Sequence, residues 1–224
     1  MNSTLETICQ ICTHVRTATK QGASFQQILT KIRKEFKDQN LGIVLRTSRK
    51  KYLNQEEFYV NAYYDAEDDS EGDPPIEVIV FHNFNKDTIW DRKQITDLLV
   101  QVFDAVVHEF KHQRQSRKRN YHHYYEHVDG NLHYQLYLSD PDEIDAYALS
   151  IAIELCRTLG KFRALRYMSR FTSLAKIKIH SQYASPNLNA YVAHFENLNH
   201  PTLRTLATKV YIRLQKVDTD FIFM

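Results

Sequence analysis

The sequence predicts an α+β protein, and the spacing of its apolar residues is what predicts it. That spacing is helical over the first 40 positions and close to two between residues 43 and 81. It is helical again from Asp91 to the C-terminus. The two periods demand different backbones, because side chains share a face every 3.6 residues in a helix and every two in a strand.

Leu5, Ile8, Ile11, Cys12 and Val15 mark the first helix, with Ser3 and Glu6 spaced as a capping box and Gly22 placed to stop it. Ser24 with Gln27 repeats the start signal ahead of the stripe Phe25, Ile28, Leu29, Ile32 and Phe36. Asn40-Leu41-Gly42 is a turn. Strands are expected at Ile43–Thr47, Glu57–Tyr64 and Ile76–Phe81, all rich in Val, Ile and Tyr. Between the last two, six acids fall within the nine residues Asp65–Asp73. Their mutual repulsion predicts a solvated hairpin loop.

A long helix is expected over roughly 91–118, striped by Ile95, Leu98, Leu99, Val102, Phe103, Val106, Val107 and Phe110. A polar, aromatic stretch follows from Tyr121 to Leu138, with a turn at Asp129-Gly130. Asp140 as N-cap and Pro141 at the first helical position open the next helix, which Gly160 stops. Ser185-Pro186 and His200-Pro201 open two more.

The composition narrows the function classes. With 29 basic and 27 acidic residues the net charge is only +2, so no global bias toward nucleic acid or anionic lipid exists. Three cysteines make no disulfide framework, and the pair Cys9 and Cys12 lies within a helical stripe, which predicts core packing rather than redox chemistry. No apolar run approaches the roughly 20 residues of a membrane helix, and the N-terminus has no signal-peptide pattern. A soluble, cytoplasmic protein without a membrane partner is expected.

The chemistry concentrates in His108-Glu109-Phe110-Lys111-His112. Residues i and i+4 of a helix stand about 40° apart around the axis and about 6 Å apart along it, so both imidazoles can converge on one ion. Neutral imidazole is a good zinc ligand. Glu109, rotated by about 100° from His108, is suited instead to act as general base on a metal-bound water. With this composition, chance alone would supply roughly 0.03 such motifs in the chain. A catalytic zinc needs a third protein ligand. The helix opened by Asp140 offers Glu143, which also fits the N3 position of a capping box. Glu126, Asp140 and Asp142 are the other carboxylates, and His122, His123, His127 or His133 would instead complete a three-His site. Tyr121, Tyr134 or one of these histidines is a candidate oxyanion donor.

These residues resemble the gluzincin class of zinc metallopeptidases, in which two motif histidines and a Glu from a later helix hold the metal. Glu143-Ile144-Asp145-Ala146 is similar to the E-x-x-A segment of small bacterial and phage-encoded members. The resemblance covers about residues 43–155. It departs at Tyr147, where thermolysin-like members carry an Asp; Asp145 is the nearest acid.

The resemblance implies one zincin-like domain over residues 1–224, with a helical part at 1–40, a metal-site core at 43–155 and a helical part at 161–224. Its sheet would be small and mainly antiparallel. It further implies Zn²⁺ held by His108, His112 and Glu143, Glu109 as catalytic base, and a polypeptide substrate pairing with the strand Ile76–Phe81 as an added edge strand. Two other classes compete: a zincin-like metal-binding or protein-interaction domain without protease activity, and a nucleic-acid-binding protein in which the motif is incidental. The run Arg114-Gln115-Ser116-Arg117-Lys118-Arg119 is expected to be a solvated helix end, with a substrate-guiding lip as the second reading.

Overall fold

The computed structural model describes residues 2–54, 57–122, 131–171 and 184–217, and it is an α+β structure. The chain forms two units, residues 1–122 and 123–223.

In the first unit, α1 (Asn2–Ala18) and α2 (Phe25–Asp38) precede the strands. The predicted box at α2 forms: the Ser24 Oγ accepts from the Gln27 N–H at 3.2 Å, and the Ser24 N–H donates to Gln27 Oε1 at 2.9 Å. Strands β2 (Ile43–Arg49), β3 (Phe58–Tyr64) and β4 (Ile76–His82) form a sheet, while β1 (Ala23–Ser24) pairs antiparallel with β5 (Ile89–Trp90). The helix α4 (Arg92–Lys118) closes the unit, capped by Asp91 and Gln94 in a second box.

The sheet departs from expectation in two ways. It is mixed rather than mainly antiparallel, because β4 lies in the centre, parallel to β2 and antiparallel to β3. Period-two patterning determines which face of a strand is buried and leaves its neighbour open. The second correction follows directly. The strand Ile76–Phe81, read as an edge for an added substrate strand, pairs on both sides and has no edge to offer. Among the described residues the edges are β2 and β3.

Along β4, Ile76, Val78, Val80 and His82 are buried while Glu77, Ile79 and Phe81 are partly exposed, so one face of the sheet is packed and the other open. The packed side joins Ile28 and Ile32 of α2 and Ile95, Leu98, Val102 and Val106 of α4 in the core. Each such side chain contributes about 1.5–3 kcal/mol on full burial. Cys9 and Cys12 are buried and unbridged, as their place in the stripe requires. Phe25, Phe58, His82, Phe84 and Trp90 form an aromatic cluster with centroid distances of 4.7–6.5 Å.

The acidic segment is the third correction. The segment joins the antiparallel pair β3 and β4 and exposes Asp65, Glu67, Asp68, Glu71 and Asp73 as expected. Instead of a loop it holds a short helix, α3 (Ala66–Glu71), capped by Asp65, whose side chain accepts from the N–H groups of Glu67 and Asp68. Its Asp69 is buried.

The second unit is helical: α5 (Asn131–Ser139), α6 (Pro141–Leu159), α7 (Lys161–Met168), α8 (Pro186–Phe195) and α9 (Pro201–Lys216). Ile144, Ala148, Ile151, Leu155, Leu188, Leu203, Leu206 and Val210 form its core. The predicted starts at Asp140-Pro141, Ser185-Pro186 and His200-Pro201 are all observed, each with Pro inside the first turn. Among the described residues no helix is long and apolar enough to cross a membrane.

Candidate metal centre

Two consequences of sequence position build the first part of the site. The buried part of the apolar stripe of α4 ends at Val107, with Phe110 partly exposed, and the residues that follow include His108, Glu109 and His112. Helical spacing brings the two imidazoles together, with Nε2 of His108 and Nε2 of His112 3.0 Å apart and the ring centroids 4.8 Å apart. Two nitrogens bound 2.0–2.1 Å from one tetrahedral ion stand about 3.3 Å apart, so a small change of side-chain torsion turns this contact into a chelating pair. At this distance one ring nitrogen donates to the other. Both histidines are half-buried, whereas Glu109, on a neighbouring face of the helix, is 8% exposed.

The C-terminal turns of α4 are tied to α3 and β3 through Asp69. Its carboxylate accepts from Arg117 Nε at 2.9 Å and Nη2 at 2.6 Å, from Gln113 Nε2 at 3.0 Å and from the Tyr64 hydroxyl at 2.9 Å. Burial by itself pushes this carboxyl up. The hydrogen bonds from Arg117, Tyr64 and Gln113, with the Arg117 charge, outweigh it and hold the group below the ordinary carboxylate range. Burial pushes the Tyr64 phenol up to about 12. Arg114, Arg117 and Lys118 are exposed as predicted, and Arg117 differs only in that its guanidinium is paired with the buried Asp69.

In the second unit, Glu143 lies in the first turn of α6. The capping-box reading of this residue is not realised. The Asp140 side chain caps the Asp142 N–H at 2.7 Å, and the Asp140 N–H donates to the Tyr137 carbonyl at 3.0 Å. Glu143 instead belongs to a group of tyrosines. The Tyr137 hydroxyl donates to its carboxylate, and burial first, then Glu143 and Tyr147, raise that phenol well above its ordinary value. Tyr191 is buried beside them and raised in the same direction, by burial and then by Tyr147 and Glu143. Tyr147 and Tyr191 meet edge to face at 5.2 Å. Asp145 is committed elsewhere, to Arg213 Nη2 at 2.6 Å and Lys209 Nζ at 3.8 Å.

Of the predicted site residues, the structure brings together His108 and His112 and buries Glu109 on the same helix. His122 is described and exposed, its carbonyl accepting from Arg119 Nε at 3.2 Å. Glu126, His123, His127 and the Asp129-Gly130 turn lie outside the described residues, as does the side chain of His133. The sequence reading missed Asp69 and the tyrosines around Glu143. The i, i+4 spacing of Glu143 and Tyr147 was a usable signal; the pairing of Asp69 with Arg117, 48 positions away, had none.

No family model matches the chain, and no match exists among curated proteins or solved structures.

Proposed function

We propose that this chain is a zinc-dependent metallopeptidase of zincin type, acting on polypeptides in the cytoplasm, with His108, His112 and Glu143 as the metal ligands. The observation that carries this reading is the 3.0 Å approach of the two Nε2 atoms on one helix. The donor set of two imidazoles and one carboxylate suits zinc. Zinc held there would supply Lewis acidity and would lower the pKa of a water toward about 7. Glu109 takes the proton from the attacking water and passes it to the leaving amine nitrogen. Tyr137 orients the Glu143 carboxylate by its hydrogen bond, the support that ligating carboxylates usually receive. The buried, unbridged cysteines fit a reducing compartment.

The test compares metal content and peptide hydrolysis in four proteins. Wild type should bind one zinc and cleave. Glu109→Gln should keep its zinc and lose about 10²–10⁴ in rate, the usual contribution of a general base. His112→Ala and Glu143→Ala should lose both metal and activity. Wild type without stoichiometric zinc sinks the reading. Zinc without cleavage across a broad peptide set transfers it to a metal-binding domain that is not a protease.

A further inference from the structure

The sheet of the first unit is packed on one face, and its pairing register sets what the other face displays. Arg46 lies opposite Ile79, Tyr59 opposite Phe81 and Tyr63 opposite Glu77. Alternation ordinarily leaves polar side chains outside, but β3 turns Tyr59 and Tyr63 outward, 37% and 48% exposed. The two are four residues apart on one strand, about 13 Å. Tyr59 stacks on Phe81 with 4.7 Å between centroids and 18° between planes, and Lys50 Nζ stands 5.0 Å from the Phe81 centroid. Tyr52 is exposed as well, its hydroxyl 2.8 Å from that of Tyr59. Rings and a cation are thus held in fixed relation on an open surface. The charge is graded along it. Arg46, Lys50 and Lys51 lie toward the end that carries Tyr59. The Arg46 Nε meets Glu77 Oε1 at 2.6 Å, and its side chain stays 69% exposed. The five exposed acids of the β3–β4 connection follow the opposite end, beyond Tyr63.

We propose that this face binds single-stranded nucleic acid, with Tyr59 and Tyr63 stacking on bases and Arg46, Lys50 and Lys51 meeting the phosphates of the same stretch. The proposal goes beyond the peptidase reading, because it uses neither zinc nor the motif helix. An aromatic ring on a sheet surface stacks on any base that is free of its complement, whereas the bases of a duplex are already stacked on one another. A purely apolar partner would leave the cations without anions, and a polyanion without rings would leave the tyrosines without contacts. A single strand supplies one charge and one π face at every step, and so satisfies both. The acids beyond Tyr63 repel phosphate, which confines the footprint to the few nucleotides between Tyr63 and Lys51. The small net charge of the chain does not oppose such a site, since exposed charges farther away than a Debye length of about 8–10 Å are largely screened.

The experiment uses the full chain and a fluorescein-labelled oligothymidylate of about 12 nucleotides, read by anisotropy at about 50 and 200 mM salt. Tyr59→Ala and Tyr63→Ala should each weaken binding by about 5- to 100-fold, while Tyr59→Phe and Tyr63→Phe keep the ring and should stay within about twofold of wild type. Lys50→Gln with Lys51→Gln should weaken binding and reduce the salt slope by about 1.4. The ring resonances of Tyr59 and Tyr63 should move upfield when the strand binds, a readout that needs no substitution. His108→Ala should bind the strand like wild type, so failure of the metal assignment and failure of this proposal are seen separately. Absence of binding by wild type at the lower salt would overturn the proposal. So would ring resonances that do not move, or affinity that falls with the lysines and not with Tyr59 and Tyr63, as for heparin or any other polyanion. Affinity that follows Arg114→Gln and Lys118→Gln instead would overturn it too, by assigning the binding to the basic end of α4.

Discussion

The two halves of α4 obey different rules. From Ile95 to Val107 its buried residues are apolar and follow the helical period, packing into the core of the first unit. From His108 onward the buried positions are Glu109, Gln113, Gln115 and Ser116. Burying a polar group costs free energy unless a partner meets it, and a polar residue contributes less than an apolar one in the same place. The first half is thus chosen for stability. The second half tolerates a cost, which is the usual mark of a segment kept for chemistry.

Three substitutions sharpen this contrast. The largest effect is expected in the apolar half. Leu98→Ala should destabilise the fold by about 2–5 kcal/mol through lost burial and the cavity left behind. Zinc stoichiometry should be unchanged under conditions where the protein stays folded. A denaturant titration beside a metal assay checks both, and loss of zinc by the folded variant would erase the division between the halves.

In α3, whose Asp69 holds Gln113 and Arg117 of the polar half, Asp69→Asn should cost less, about 2–3 kcal/mol. The change removes the charge facing Arg117 and turns one of the two buried acceptor oxygens into a donor, but the Arg117 side chain is 54% exposed and regains water. The pH dependence follows from the lowered carboxyl. Its stabilisation is fully present above the unfolded carboxylate range near 3.9 and is lost as pH falls through the lower folded value. Melting temperatures from pH 5 down to pH 2 should fall more steeply for wild type than for Asp69→Asn. Parallel curves would show that Asp69 has no such linkage.

The smallest effect lies at the far end of the sheet. Burial lowers the pKa of His82, the Arg49 charge lowers it further, and the Phe84 backbone opposes them more weakly than burial acts. The unfolded chain therefore binds a proton more readily than the folded one, and stability falls as pH drops from about 6.5 through the lower folded value. His82→Phe should flatten that window while leaving the low-pH loss associated with Asp69. If the loss below about pH 6.5 persists in His82→Phe, another group causes it.

Much of this was legible locally. The caps Ser24 and Asp140, the prolines at 141, 186 and 201, and the apolar stripes located α2, α4, α6, α8 and α9, because each signal sits within a few residues of its effect. The same holds for the His108–His112 pair, since helical geometry alone brings residues i and i+4 together. Strand order was not legible, because β2 and β4 pair in register across the intervening β3 and α3, a choice made by the shared core rather than by either strand. In the acidic segment five of the six acids face solvent as repulsion among neighbours argues, and Asp69 alone does not, because Arg117 and Gln113 arrive from another element and change the balance for it.

What the chain determined by itself is whatever short-range sterics and hydrogen bonding can specify: helices, their ends, alternating strand faces and the two imidazoles of one helical turn. Tertiary structure alone decided which strand is central, that Asp69 accepts from Arg117, that Tyr137 rather than a cap engages Glu143, and that Gln101 covers an edge amide of β3. These contacts join residues six to 48 positions apart, and their formation depends on packing that no local window contains.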